Sequence, residues 1–239
     1  MILLNICALL GVSGLAYTGV LWVLAQPVES VRVEGTFERV SAVQVEAALS
    51  PYLEQGFLSL DLADVQAAVT ALPWVAHASV RRSWPAALSV TLVEQRAAAR
   101  WGKDGLLNVY GELFVANASH IPAELPLLDG PPGTELRVAQ HYFDLDAQLQ
   151  QRGLSAAALE LDARGSWELT LSNGIVVRLG TENIDARAAR FFTALDRVLQ
   201  PLAEQINYVD MRYTNGFAVG WKAEANVATS GAEVTAPNA

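Results

Sequence analysis

Charge is missing from the first 28 of the 239 residues: no Asp, Glu, Lys, Arg or His precedes Glu29. From Ile2 to Leu24 the polar side chains are Asn5, Ser13, Tyr17 and Thr18 alone, so little in this run resists burial in hydrocarbon. A helix over these positions is about 35 Å long, against a hydrocarbon core of about 30 Å. The expectation is a single N-terminal membrane helix at residues 1–26. A cleaved signal peptide is the rival reading, because Val23 and Ala25 offer a small-residue processing site before Gln26-Pro27. The run is longer than the roughly 7–15 apolar residues of a signal core, and no basic segment precedes it. Cys7, Gly11, Gly14 and Thr18 share one face of that helix, a stripe of small side chains that lets a second helix approach. Small residues are also common in membrane helices generally.

Cysteine is nearly absent: Cys7 lies in the apolar run, so residues 28–239 offer neither a disulfide nor a thiol nucleophile. The three histidines, His77, His120 and His141, lack metal-ligand spacing. No G-x-S-x-G, Walker A or G-x-G-x-x-G sequence occurs. Asp144 with Asp146 and Glu160 with Asp162 resemble carboxylate pairs for sugar hydrolysis only on paper. Side chains two apart on a helix do not face each other, and on a strand such a pair is a solvated face. The expectation is therefore no catalytic residue, metal, cofactor or small-molecule substrate. The net charge of −9, carried outside the apolar run, excludes a nucleic-acid partner. Charge counting barely orients the membrane helix: Arg32 and Arg39 follow it, yet long domains translocate largely regardless of charge.

With 52% hydrophobic residues the rest of the chain has ample core material, and its pattern divides it in two. Over residues 27–96, Val31 and Val33 alternate with Arg32 and Glu34 as a strand ended by Gly35. Ser41 with Gln44 predicts a capping box ahead of Val45, Ala48 and Leu49, with Pro51 interrupting that helix. A second helix follows Asp61 through Leu62, Val65, Ala68, Val69 and Leu72, and Pro73 stops it. Two strands, Val75 to Arg82 and Ala87 to Val93, flank a turn at Ser83-Trp84-Pro85.

The pattern Val31-x-Val33-x-Gly35, Leu72-Pro73-Trp74-Val75 and Trp84-Pro85-x-x-Leu88-x-Val90-x-x-x-Glu94 resembles a βααββ POTRA domain. One such module after one membrane helix resembles the bacterial FtsQ/DivIB cell-division family. Residues 97–222 extend the resemblance, through Trp167-x-Leu169-x-Leu171-x-Asn173-Gly174, Leu179-Gly180 and Asp210-Met211-Arg212-Tyr213-x-x-Gly216-Phe217-Ala218-Val219-x-Trp221. The implied fold class is α+β, with the second domain mostly antiparallel β and flanked by helices. Asn173-Gly174 and Asn215-Gly216 predict tight hairpins, the first joining Trp167–Leu171 to Ile175–Leu179 and the second Val209–Tyr213 to Phe217–Trp221. A helix from near Asp185 presents Ala188, Phe191, Phe192, Leu195, Val198 and Leu199 as one apolar face. Trp84, Trp101 and Trp167 are expected as packing anchors. Residues 223–239 carry the composition of a disordered tail.

Phe217–Trp221 contains neither charge nor proline, the usual guards of a sheet edge, so it is suited to accepting a partner strand. The resemblance implies that the partner is FtsB, within an FtsB–FtsL pair. The implied contact residues are Arg212, Tyr213, Asn215, Gly216, Phe217, Val219 and Trp221, with Arg187 or Arg190 of the preceding helix. It further implies an inner-membrane location at the division septum, with the soluble region in the periplasm. The POTRA unit would serve recruitment and contacts with other divisome membrane proteins. Members of this family usually carry a basic cytoplasmic tail before the helix, so the expectation is an upstream start or loss of that tail. Two other classes remain in view: a different POTRA-containing envelope assembly factor and a periplasmic carbohydrate-acting enzyme.

Overall fold

The computed structural model describes residues 14–15, 17–19, 26–35, 38–118 and 120–222. No helix among the described residues is long and apolar enough to cross a membrane. Most of the expected membrane helix, including Cys7 and Gly11, lies outside the described residues, as does the expected tail at 223–239. Chain contacts separate two compact units, Met1–Ala98 with Asp104–Ile121, and Ala99–Lys103 with Pro122–Ala239.

The first unit is built from β1 (Ser30–Glu34), α1 (Ala42–Leu53), α2 (Leu62–Thr70), β2 (Val75–Ser83) and β3 (Ala87–Glu94). The strand order is β1-β3-β2, with β1 parallel and β2 antiparallel to the central β3. Ser41 and Gln44 close the reciprocal capping box that starts α1. Pro51 does not interrupt that helix, which runs on to Leu53. Proline falls here in the last turn, and Tyr52 and Leu53 pack on the core, which holds the turn in place. Val45 and Leu49 of α1 and Val65 and Val69 of α2 are sealed against Ala78, Leu88 and Val90 of the sheet. Each such aliphatic side chain contributes about 1.5–3 kcal/mol of burial free energy. Glu94 closes the unit, its carboxylate accepting the N–H groups of Glu38, Arg39 and Val40 at 3.0, 2.8 and 2.6 Å. After β4 (Ala97–Trp101), β5 (Gly105–Asn108) and β6 (Leu113–Val115) form an antiparallel hairpin, and Phe114 meets the Trp74 ring edge-on at 5.1 Å.

One expected packing anchor fails here: Trp84, at the β2–β3 connection, is 73% exposed. A turn tip has core on one side only, so this ring touches Phe57 edge-on at 5.5 Å and otherwise stands clear. Trp167 behaves as expected, 1% exposed and edge-on to His141 at 4.7 Å.

The second unit contains β7 (Leu127–Asp129), α3 (Glu135–Gln150), β8 (Ala156–Leu161), β9 (Trp167–Leu171), β10 (Val176–Gly180), α4 (Ile184–Ala194), β11 (Ile206–Asp210) and β12 (Ala218–Trp221). With β4, its strand order is β12-β11-β10-β9-β8-β7-β4. The sheet is mixed rather than mostly antiparallel, since β4–β7, β7–β8 and β10–β11 pair parallel. Two of these pairs are joined by helical crossovers, α3 returning the chain from β7 to β8 and α4 from β10 to β11, the kind of connection that parallel neighbours require. Leu159, Leu169, Val177 and Val209 occupy successive strands at buried positions, with Val138 and Leu149 of α3 and Phe191 and Phe192 of α4 completing the core. Past Ala194 the helix widens into a π turn at Leu195–Leu199 and then a 3-10 turn at Gln200–Gln205. The wider turn shifts the apolar stripe, so Leu195 and Leu199 are buried while Val198 is 52% exposed, against the expected face.

Candidate partner-binding edge

The Asn173-Gly174 signal works through a three-residue loop. Gly174 donates to Leu171 O and takes φ +86°, a type I turn ended by a left-handed glycine. Asn215-Gly216 does something different. β11 stops at Asp210 and β12 starts at Ala218, so Met211–Phe217 forms a broad loop instead of a tight hairpin.

Three arginines shape that loop. Arg187 donates to Leu179 O at 2.6 Å and to Arg212 O at 3.4 Å. Arg190 donates to Met211 O at 3.3 Å, Tyr213 O at 3.1 Å and Thr214 O. Arg212 grips the Asp210 carboxylate, with Nη2 to Oδ2 at 2.6 Å and Nε to Oδ1 at 2.9 Å. That hydrogen bond to Arg212 holds the Asp210 carboxyl below the usual carboxylate range, although burial pushes the other way. Gly180 makes room for the arrangement: its φ is +78°, and a Cβ there would fall 2.6 Å from Arg187 Nη1 and 2.9 Å from Arg212 Cγ.

The loop delivers the chain to the sheet edge. β12 is the end strand of the order and pairs with β11 through Val209↔Val219 and Tyr208↔Gly220. Lys222 N–H donates inward to Gln205 O at 2.7 Å. Antiparallel alternation then turns the main-chain groups of Gly220 and Ala218 towards β11 and those of Val219 and Trp221 outward. Among the described residues no strand covers that rim. Tyr213, Phe217 and Trp221 stand exposed around it, at 59%, 38% and 54%. Beside the loop a groove of about 540 Å³ is lined by Ala194, Val198, Met211 and Phe217, with Arg190 and Arg197 among its polar walls.

Arg187, Arg190, Arg212, Tyr213, Asn215, Gly216 and Phe217 thus gather at one loop, and Val219 and Trp221 lie on the strand it feeds. Of the membrane-helix stripe, Gly14 and Thr18 are described as helical, and the Thr18 hydroxyl donates to Gly14 O at 3.1 Å. Asp210, Gly180 and Tyr208 were not singled out as site residues from sequence. The signals that point to them are the Asp-x-Arg spacing, the Leu-Gly at the end of a strand, and a large ring opposite a glycine.

The carboxylate pairs hold local structure. Asp162 caps a turn by accepting Arg164 N and Ser166 N at 2.8 and 2.7 Å, and Asp146 accepts Ala156 N at 2.8 Å. Glu160 lies across the strands from Glu168, and burial first, then Glu168 and Asp129, pushes its carboxyl upward. Among the described residues no group of three His, Cys, Asp or Glu could hold a metal.

A small βααββ module followed by a mixed sheet whose end strand β12 is covered by no other described strand defines a POTRA-containing protein. Two family models match the chain: POTRA domain, FtsQ-type, over residues 26–95, and cell division protein FtsQ/DivIB, C-terminal, over residues 99–212. Cell division protein FtsQ of Xanthomonas campestris pv. campestris is 40% identical over 200 residues, covering 83% of this chain and 72% of the relative. That of Vibrio cholerae serotype O1 is 36% identical over 217 residues, 89% of this chain and 83% of the relative. That of Burkholderia pseudomallei is 39% identical over 212 residues, 86% and 85%. The chain belongs to the FtsQ/DivIB family of cell-division proteins and is a non-enzymatic component of the divisome.

Proposed function

We propose that this protein is an inner-membrane scaffold of the division septum that links early and late division proteins by adding a strand of FtsB, within the FtsB–FtsL pair, to β12. The outward-facing main chain of Val219 and Trp221, with no charge or proline from Phe217 to Trp221, is the observation that supports it most directly. Main-chain hydrogen bonds supply affinity without demanding a particular partner sequence. Tyr213, Phe217 and Trp221 supply apolar contact area at a low entropy cost. Arg187 and Arg190 act in this reading by fixing the loop beneath the contact residues, and Arg212 presents an exposed cation beside the edge. Both partners being tethered to one membrane raises their effective concentration, so modest intrinsic affinity suffices. The first unit serves recruitment through contacts with other divisome membrane proteins.

The test is co-purification from the native membranes of the tagged full chain, comparing wild type, Tyr213→Ala with Trp221→Ala, and Val219→Pro. Proline at 219 removes an outward N–H and leaves the bonds to β11 intact, so the fold survives while the added strand loses a bond. Small single-pass partners that co-purify with wild type and are lost from both variants support strand addition. Equal recovery with all three moves the docking site elsewhere.

A further inference from the structure

Among the described residues of the first unit, Trp84 is the largest side chain left exposed, and it is linked through hydrogen bonds to the residues that follow the apolar run in sequence. Gln26 follows the last leucine of that run, Leu24, by two residues, a contour of about 7 Å at about 3.5 Å per residue. Its carbonyl accepts the Phe57 N–H at 2.6 Å, and Pro27 bridges to Gly56. The Phe57 ring carries the Trp84 ring edge-on at 5.5 Å, and Glu29 N–H donates to Ala86 O at 2.8 Å on the other side of the same turn. The Gly56–Leu58 loop and the Trp84-Pro85-Ala86 turn are thereby tied to the first residues after the apolar segment.

We propose that Trp84 inserts into the headgroup layer of the bilayer and docks this end of the first unit on the membrane surface. The proposal rests on the apolar run being a retained membrane anchor. The polar interface of a bilayer is about 5–8 Å deep on each side of the hydrocarbon core. Gln26, the Gly56–Leu58 loop bonded to it and the Trp84-Pro85-Ala86 turn bonded to Glu29 three residues further on fall within or just above that layer. An indole prefers this depth because its ring is apolar and its N–H needs an acceptor. Among the described residues the contact made by the Trp84 ring is with Phe57, which leaves its N–H to a lipid oxygen. Charge of both signs adjoins these turns, with Glu29 exposed just before β1 and the Arg82 guanidinium donating to Phe57 O and Leu58 O, so the matching surface is a zwitterionic one.

The full chain in phosphatidylcholine nanodiscs, made with and without lipids brominated near the headgroup end of the acyl chain, tests this by tryptophan emission. The Trp84 signal is wild type minus Trp84→Phe. The Trp22 signal, from within the apolar run, is wild type minus Trp22→Phe. The expected result is a blue-shifted Trp84 signal that brominated lipid largely abolishes and aqueous iodide barely touches, with a thermal melt for Trp84→Phe matching wild type. A Trp84 signal that emits as in water and yields to iodide, while Trp22 is quenched by brominated lipid, overturns the docking and leaves the anchor standing. An unquenched Trp22 overturns the anchor reading and the docking with it.

Discussion

Arg190 and Tyr213 are joined through the backbone and not through the ring: the guanidinium donates to the Tyr213 carbonyl at 3.1 Å, while the phenol side chain stays 59% exposed. The same guanidinium holds Met211 O and Thr214 O, so one side chain fixes the path of the loop that feeds β12. A lysine keeps the charge but has a point-like head in place of a planar fork. Hydrogen bonds from a charged donor contribute about 1.5–3 kcal/mol each. Both Arg190→Ala and Arg190→Lys are therefore expected to speed amide exchange across residues 211–217 by about tenfold or more, with β9 and β10 unchanged. Wild-type protection in Arg190→Lys would show that charge alone matters at this position.

Gly180 carries two demands at once, a φ of +78° and space for Arg187 and Arg212. Gly180→Ala is expected to cost more than the roughly 1–2 kcal/mol of a left-handed alanine, because the new methyl also pushes on both arginines. Gly174→Ala, at φ +86° with open space around it, supplies the control for backbone strain alone. The readout is the difference between the two denaturant midpoints. Equal losses would mean that the arginines simply move aside.

Gly220 is limited by its neighbour instead. A Cβ there would lie 2.1 Å from Tyr208 Cε1, and the Tyr208 ring is itself covered by the Arg178 guanidinium at 4.4 Å. Gly220→Ala is expected to loosen β12 and weaken partner recovery, and Gly220→Ala with Tyr208→Ala to restore the strand. A coupling of about 0.5–3 kcal/mol in the double-mutant cycle is the signature. Additive losses would place the strain elsewhere.

The first unit was largely legible because each of its elements carries its own local signal. Ser41 with Gln44 opens α1, Pro73 follows α2, and period-two alternation marks the strands. The second unit was less so. Parallel pairing comes from how α3 and α4 pack the returning chain, which no single strand records. The Met211–Phe217 loop owes its width to carbonyl bonds from Arg187 and Arg190, reaching across 21 to 25 residues where adjacent-residue turn rules see only Asn-Gly. Val198 was misplaced because the π turn breaks the 3.6 period, and Trp84 because a large ring suggests burial when its place at a turn tip decides otherwise. The residues proposed as contacts came from the family's motif, and the geometry adds which of them hold the loop and which face out.

Acid should open the first unit through Glu94. Burial alone would raise its carboxyl, but the N–H groups of Glu38, Val40 and Arg39, with the Arg39 charge, outweigh burial and lower it. The folded value therefore lies below that of the unfolded chain, about 4.3. The stability this carboxylate contributes is fully present above that value and is lost as pH falls through the lower folded one. Glu94→Gln keeps an acceptor but not the charge, so the variant is expected to be less stable than wild type at pH 7 and to converge with it as the pH is taken down towards 3. Amide exchange at Ala78, Leu88 and Val90, all buried in this unit, reports the difference without interference from the second unit. A gap between wild type and variant that stays constant over that range would mean that Glu94 stabilises the turn by shape alone, and that its three N–H donors do not discriminate carboxylate from amide.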